Sequence, residues 1–144
     1  MVAADSVEVV VSTYNNPRAL DLALRALQRQ TLTGFRLCVA DDGSGPETVA
    51  LLSQWQERLG DRLRHIWQAD HGFRKNRILN KAIASSRADY LVFLDGDCLP
   101  SPQFVARHLE LARPRRFCTG GVIRLSQAAS DDIAPEGVDS GTVF

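Results

Sequence analysis

The 144-residue chain has 44% hydrophobic and 24% charged residues, the composition of one ordinary globular domain. Its 17 basic and 17 acidic residues balance, which excludes an overall field that attracts nucleic acid or an anionic membrane. No apolar run approaches the roughly 20 residues of a membrane span, and no signal peptide is visible. We therefore expect a cytoplasmic protein, with association at the inner face of the membrane left open. Cys38, Cys98 and Cys118 lack metal-ligand spacing and are predicted to be buried free thiols, two of them inside strands.

Hydrophobic periodicity predicts alternating strands and helices along most of the chain. The predicted strands lie at 7–11, 35–40, 63–67, 90–94 and 117–123, and the predicted helices at 17–32, 47–59, 74–86 and 102–112. This alternation predicts an α/β fold with a mainly parallel sheet, formed by residues 1–125. Residues 126–144 are acidic and aperiodic, so we expect an irregular tail or the start of a truncated further region.

Asp95-Gly96-Asp97 follows the apolar strand 90–94 directly. Ligands of open α/β sheets bind outside the carboxyl ends of the strands, and paired carboxylate oxygens suit Mg²⁺ or Mn²⁺. Gly96 leaves room for a bulky ligand. The same three residues are also typical of a simple turn that ends a strand.

Two other predicted strands end in polar clusters, at Ser12-Thr13-Tyr14-Asn15 and at Asp41-Asp42. In a parallel sheet these ends lie at one edge, so the clusters should converge with Asp95 and Asp97. A carboxylate at 41 or 42 suits the ring N–H of a nucleobase, which favours uracil or guanine over adenine or cytosine. The alternatives are that the two acids cap the helix near Glu47, and that Tyr14 is an ordinary half-buried aromatic residue.

Arg74, Lys75 and Arg77 crowd the first turn of the third predicted helix. Cations oppose the helix dipole there, which favours a negative ligand such as a diphosphate or facing carboxylates. A solvated basic helix face is the alternative interpretation.

Four segments together resemble family 2 glycosyltransferases, which have the GT-A (nucleotide-diphospho-sugar transferase) fold, a Rossmann-like α/β/α sandwich. The segments are Val9 to Asn15, Val39 to Ser44, Lys75-Asn76-Arg77 with Asn80 and Ala82, and Phe93 to Asp97. They match in order and spacing, and the resemblance covers about residues 7–125. Gly72-Phe73-Arg74 is most similar to the subgroup of chondroitin-type polymerising enzymes.

The resemblance implies transfer of a sugar from a nucleotide-diphospho-sugar, in particular a UDP-sugar, to a hydroxyl group of a saccharide, lipid or other acceptor. It implies inversion at the anomeric carbon, Mn²⁺ or Mg²⁺ as cofactor, and a role in cell-surface polysaccharide or glycoconjugate synthesis. By the same resemblance Asp97, with Asp95, would ligate the metal. The residues that would bind the nucleotide sugar include Asp95 as well: Ser12, Thr13, Tyr14, Asn15, Asp41, Asp42, Arg74, Lys75, Arg77, Asn80, Asp95 and Gly96.

The catalytic base of inverting members lies well beyond the metal motif. Asp131, Asp132, Glu136 and Asp139 match no such base motif, so we expect the base and a final metal ligand beyond Phe144. One alternative is a non-catalytic nucleotide-sugar-binding module. Another is a haloacid-dehalogenase-like phosphatase with Asp95 as nucleophile, although Cys98-Leu99-Pro100 after the second Asp does not suit that motif.

Overall fold

A computed structural model describes residues 2–144, with a four-stranded parallel sheet at its centre. The strands are β1 (Val7–Thr13), β2 (Arg36–Asp41), β3 (Leu63–Trp67) and β4 (Tyr90–Asp95), in the spatial order β3-β2-β1-β4. The helices are α1 (Pro17–Gln28), α2 (Pro46–Leu59), α3 (Lys75–Ser85), α4 (Phe104–Leu111), α5 (Gln127–Asp131) and α6 (Pro135–Ser140). The predicted α/β fold with a parallel sheet is confirmed.

The sheet is covered by helices on both faces. Alternate side chains of β1 and β2, among them Val9 and Leu37, belong to one apolar cluster with residues of α1, α2 and α4. The intervening side chains, among them Val10 and Cys38, belong to a second cluster with Ile78 and Ala82 of α3. Since successive side chains of a strand point to opposite faces, this split follows directly from the strand geometry.

The strand order places a topological switch point beside β1. The chain runs from β1 outward through β2 to β3, and then crosses back so that β4 pairs with the other side of β1. The carboxyl ends of β1, β2 and β4 are therefore neighbours, with Thr13 paired to Asp41 and Ser12 paired to Asp95. Ligands of open α/β sheets bind at such a point.

The prediction of a fifth strand at 117–123 is wrong, because this segment forms neither strand nor helix. Phe117 and Ile123 are 87% and 89% exposed, and the segment pairs with no strand in the described chain, although β4 is an edge strand. Cys118 is accordingly not in a strand, whereas Cys38 lies buried in β2. Burial raises the pKa of the Cys38 thiol to about 12, so it is an inert part of the core.

The segment 126–144, predicted to be an irregular tail or the start of a further region, contains the short helices α5 and α6. Val138 of α6 is fully buried against Leu22 and Ala26 on the outer side of α1. Asp139 accepts a hydrogen bond from Arg25 of α1 at 2.5 Å. Helices of five and six residues are too short to be stable alone, so these depend on their contacts with α1.

Candidate functional site

A cleft of about 210 Å³ opens at the switch point, on the face of the sheet that carries α3. We call it the switch-point cleft. Its lining combines the ends of three strands with the start of α3, as the sequence predicts: Ser12, Thr13, Tyr14, Asn16, Ala40, Asp42, Phe73, Lys75, Ile78, Asp95, Gly96 and Asp97.

The ends of β1 and β4 are tied together at the floor of this cleft. The Ser12 hydroxyl donates to Asp95 Oδ1 at 3.0 Å, and the Gly96 N–H donates to the Ser12 carbonyl at 2.8 Å. A Cβ atom on residue 96 would lie 2.6 Å from that same carbonyl oxygen. Only glycine therefore fits between the two carboxylates at positions 95 and 97 without displacing the backbone.

Lys75, in the first turn of α3, reaches across the cleft to Asp95. Its ammonium donates to Asp95 Oδ1 at 2.5 Å. The hydrogen bond from Lys75 is the largest influence on Asp95 and holds the pKa of its carboxyl below the usual range, against the opposing effect of burial. Lys75 thus supplies the cleft with a positive charge that is already directed at its acidic edge.

Asp97 is the carboxylate best placed to hold a cation. It is exposed in the cleft, and within residues 2–144 its side chain makes one hydrogen bond, accepting from the Cys98 thiol at 3.7 Å. No group of three or more His, Cys, Asp and Glu side chains that suits a metal occurs among residues 2–144. Mg²⁺ and Mn²⁺ are commonly held by one or two carboxylates plus phosphate and water oxygens, and Asp95 and Asp97 fit that pattern.

Asp41 and Asp42 are neighbours with different surroundings. Asp41 is fully buried and does not line the cleft; its Oδ1 accepts from the N–H groups of Gly43 and Ser44, and its Oδ2 lies 2.9 Å from His65 Nε2. Burial raises the pKa of Asp41, but the hydrogen bonds from His65 and Ser44 outweigh it and hold the pKa below its usual value. Asp41 therefore stabilises the turn after β2.

Asp42 lines the cleft and anchors its far wall. Its Oδ1 accepts from Gln68 Nε2 at 2.6 Å, and its Oδ2 accepts from the backbone N–H of Arg74 at 2.7 Å. Each carboxylate oxygen has a second lone pair, so Asp42 retains the capacity to accept from a ligand N–H. Of the two predicted acids, Asp42 is the one that faces the cleft.

The loop after β3 forms that wall, and the sequence analysis did not include its contacts. Asp70 Oδ2 accepts from the Tyr14 hydroxyl at 2.8 Å, and Asp70 Oδ1 accepts from the Gly72 N–H. The hydrogen bond with Asp70 raises the pKa of Tyr14, and the same bond lowers the pKa of Asp70. Phe73, 87% exposed, lines the cleft beside this pair. An exposed aromatic residue after a glycine was the available sequence signal for Phe73.

Asn15 joins the loops after β1 and β2. Its N–H donates to Ser44 Oγ at 2.9 Å, and its Oδ1 accepts from the Gly45 N–H at 2.8 Å. Asn15 has a positive φ of 46°, which asparagine tolerates better than most residues. Asn15 does not line the cleft but positions Tyr14 beside it.

Besides Asn15 and Asp41, three further residues of the predicted set, Arg74, Arg77 and Asn80, lie outside the switch-point cleft. Arg74 and Arg77 line a separate cleft of about 440 Å³, which we call the basic cleft, together with Trp67, Gln68, Ala69, His71 and Lys81. Asn80 is exposed, and its side chain makes no hydrogen bond within residues 2–144. The structure therefore brings Lys75 to the acidic edge, and leaves Arg77 on another side of α3.

The four acidic residues of the C-terminal segment do not line the switch-point cleft. Asp139 pairs with Arg25, and Asp131 accepts from Gln127 within α5. Phe144 is 45% exposed and is likewise not among the residues of the cleft. The location of the catalytic base beyond Phe144 therefore stays a prediction.

No helix among residues 2–144 combines the length and the apolar character that a membrane span requires.

The model of the family described as "Glycosyl transferase family 2" matches residues 8–136. The chain belongs to this family. It is 37% identical over 99 residues to a validoxylamine A glucosyltransferase of Streptomyces hygroscopicus subsp. jinggangensis, covering 67% of this chain and 23% of that protein. It is 28% identical to the chondroitin synthase of Escherichia coli, covering 74% of this chain and 16% of that protein. It is 31% identical to the hyaluronan synthase of Pasteurella multocida, covering 67% of this chain and 10% of that protein. The chain thus spans less than a quarter of each relative.

Solved structures of glycosyltransferases share the fold. The mannosyltransferase PcManGT of Pyrobaculum calidifontis, in complex with GDP-Man and Mn²⁺, matches with a TM-score of 0.67 and 25% identity, covering 78% of this chain and 35% of that one. S. aureus TarS in complex with UDP-GlcNAc matches with a TM-score of 0.59 and 20% identity, covering 72% and 30%. The predicted family and the GT-A fold are confirmed.

Proposed function

We propose that this chain is the donor-binding part of a glycosyltransferase that moves a sugar from a nucleotide-diphospho-sugar, in particular a UDP-sugar, to a hydroxyl acceptor. One observation carries the proposal: the polar ends of three parallel strands and Lys75 of α3 surround a single cleft, in a chain of family 2. The relatives named as chondroitin and hyaluronan synthases support polysaccharide synthesis as the context.

The residues of the cleft suit the parts of such a donor. Asp42 accepts the ring N–H of the base, and Tyr14 with Phe73 offers aromatic surface beside it. Asp95 accepts hydrogen bonds from sugar hydroxyls. Lys75 stabilises the charge that grows on the leaving diphosphate as the bond to the sugar breaks.

Mn²⁺ or Mg²⁺ is proposed as the cofactor, held by Asp97 with Asp95. The charged residues of the cleft are three carboxylates, Asp42, Asp95 and Asp97, and one ammonium, Lys75. Since like charges repel, a diphosphate alone would meet unfavourable electrostatics there. Asp97 with Asp95 would hold the divalent cation, which would supply positive charge against the phosphates and Lewis-acid stabilisation of the leaving group.

We further propose inversion at the anomeric carbon, with the acceptor deprotonated by a base that residues 2–144 do not place in the cleft. Asp139 is already paired with Arg25, and Asp131, Asp132 and Glu136 lie outside the cleft lining. We also propose a cytoplasmic location, at or near the inner face of the membrane.

The test is calorimetric titration of the chain with UDP-, GDP- and CDP-sugars, with Mn²⁺ and with a chelator. We expect one nucleotide class, UDP, to bind in the presence of Mn²⁺. Asp97→Asn should weaken that binding by at least tenfold, because it removes the charged oxygen ligand. Asp61→Asn is the matched control and should bind like the unaltered chain, because Asp61 is an exposed carboxylate before the amino end of β3 and outside the cleft lining.

Failure of every nucleotide sugar to bind would overturn the proposed function. Unchanged UDP and Mn²⁺ affinity in Asp97→Asn would overturn the metal assignment alone. Detection of an aspartyl-phosphate on Asp95 would favour the phosphatase alternative instead.

A further inference from the structure

The basic cleft carries positive charge and an aromatic surface, and the proposed donor chemistry uses neither. Its lining includes Arg74, Arg77, Lys81 and His71, and none of the lining residues is acidic. Asp70, the acid nearest in sequence, turns instead to the Tyr14 hydroxyl. The cleft lies between the end of β3, an edge strand of the described sheet, and one side of α3.

Trp67 gives this cleft a fixed, flat surface. The indole is 50% exposed, yet its Nε1–H donates to the Ser44 carbonyl at 3.1 Å. That hydrogen bond satisfies the polar edge of the ring and leaves its faces apolar. A ligand with an apolar face could cover the exposed part of this ring and remove apolar surface from water.

Arg77 and Lys81 are one helical turn apart on α3, at positions i and i+4. Neither side chain forms an ion pair in the described part of the chain. Like charges at this spacing destabilise a helix by a few tenths of a kcal/mol, whereas a bound anion would reverse the sign of their effect. Arg74 extends the cluster, with its guanidinium donating to the Ala69 carbonyl at 3.2 Å.

We propose that the basic cleft is a second binding site that takes a saccharide carrying carboxylate groups. The carboxylates would pair with Arg77 and Lys81, and the C–H face of a sugar ring would lie on Trp67. That the ligand is a saccharide rests on the proposed function, whereas the negative charge rests on the cleft itself. Arg77 thereby belongs to this site, and Lys75 alone of the three predicted cations serves the switch-point cleft.

A nucleic acid strand suits the cleft less well. Single-stranded nucleic acid is bound along an extended basic groove with several stacking aromatics. This cleft offers one exposed tryptophan and a local group of cations, in a chain whose net charge is zero. The chemistry therefore favours a short acidic saccharide over a polyanionic chain.

The two sites are joined by shared structure and remain distinguishable. Gln68 lines the basic cleft, and its Nε2 donates to Asp42 of the switch-point cleft. The charged residues of the basic cleft are cationic, so its binding needs no divalent metal. The saccharide titration is therefore done in chelator, which prevents metal from bridging the carboxylates of the ligand to Asp95 and Asp97.

The ligands of the test are a tetrasaccharide of galacturonic acid and its fully methyl-esterified form, which keeps the rings and loses the charges. Trp67 is one of two tryptophans, so Trp55→Phe makes the fluorescence report on Trp67 alone. We expect the acid to quench or shift that fluorescence and to bind at least tenfold tighter than the ester. A single-stranded oligonucleotide of equal charge should bind more weakly than the acid.

The variants separate charge from stacking. Arg77→Gln with Lys81→Gln should reduce affinity for the acid about tenfold or more, and Trp67→Ala, followed by NMR, should reduce it severalfold. Arg115→Gln with Arg116→Gln makes the same charge change outside the cleft and should have no effect. UDP affinity with Mn²⁺, measured on the same samples, should be unchanged by the Arg77 and Lys81 substitutions.

Equal binding of acid and ester, or full affinity after loss of Arg77 and Lys81, would overturn the inference. Full affinity in Trp67→Ala, or tighter binding of the oligonucleotide, would overturn the saccharide assignment. A chain that prefers the acid but binds no nucleotide sugar would contradict the proposed function alone. A chain that binds UDP with Mn²⁺ but does not distinguish acid from ester would contradict this inference alone.

Discussion

Replacing Asp41 by asparagine should destabilise the fold and leave the nucleotide site largely intact. Asp41 is fully buried and takes part in three hydrogen bonds, with Gly43 N at 3.2 Å, Ser44 N at 2.8 Å and His65 Nε2 at 2.9 Å. A hydrogen bond to a charged group contributes about 1 kcal/mol more than a neutral one. Relief from burying the charge offsets part of that loss. We therefore expect a net loss of about 2 kcal/mol in the free energy of unfolding.

The pH dependence of this loss has a definite sign. The pKa of Asp41 is lower in the folded chain than in the unfolded one, mainly because the hydrogen bonds from His65 and Ser44 outweigh burial. Its stabilising contribution is therefore complete above the ordinary Asp pKa of about 3.9, and is lost as pH falls through the lower folded value. The gap in stability between wild type and Asp41→Asn should be widest near neutral pH and should narrow in acid.

Urea unfolding of both proteins at a series of pH values measures this gap, and calorimetric titration with UDP and Mn²⁺ measures the site. Asp42→Asn provides the comparison, since Asp42 lines the cleft and should lose nucleotide affinity. An Asp41→Asn protein with unaltered stability and lost UDP binding would refute the assignment of Asp41 to the turn. A gap that widens in acid would refute the sign of its pKa shift.

Two further substitutions test packing, one at the floor of the cleft and one in the contact between α6 and α1. Gly96→Ala places a Cβ atom 2.6 Å from the Ser12 carbonyl oxygen, so it should lower the free energy of unfolding by about 1–3 kcal/mol. It should also weaken UDP binding, because Asp95 and Asp97 are displaced. Urea unfolding measures the first effect and calorimetry the second, and unchanged values would contradict the close approach. Val138→Ala removes two buried methyl groups from the contact of α6 with α1, so it should lower the free energy of unfolding by about 1.5 kcal/mol without changing UDP affinity. Unchanged stability in urea would show that α6 is not held against α1.

The regular elements up to α4 were predictable because each combines hydrophobic periodicity with a boundary signal. Asn16 accepts from the Ala19 N–H before Pro17, as an N-cap followed by proline predicts. The elements after residue 111 were not predictable in this way. Residues 117–123 have strand composition, but β-propensity depends on packing against neighbours, and this segment stays unpaired in the described chain although β4 is an edge strand. Helix α6 depends on the burial of Val138, a contact that periodicity in six residues does not reveal.

The sequence analysis also missed the contacts by which the loop after β3 supports the cleft, although only Phe73 of that loop is among the lining residues. The role of Gln68 is set by its hydrogen bond to Asp42, 26 positions earlier in the chain, and that of Asp70 by its bond to Tyr14. Local pattern contains no information about such pairs. The placement of Arg77 was also missed, because Arg74, Lys75 and Arg77 were treated as one group. Their side chains in fact line two different clefts.

Strand alternation, however, separates the two faces of the sheet and explains the contents of the cleft. On β1 and β2 the even-numbered core residues Val10, Cys38 and Ala40 pack towards α3, and the odd-numbered ones pack towards α1, α2 and α4. Continued to the strand ends, this parity places Ser12, Asp42 and Gln68 on the α3 face and Asp41 with His65 on the other. On β4 the odd-numbered residues pair with the even-numbered residues of β1, so Asp95 pairs with Ser12 and lies on the same face of the sheet. A one-residue slip of β2 would exchange Asp41 and Asp42, which makes the register of that strand the feature that decides which acid meets a ligand.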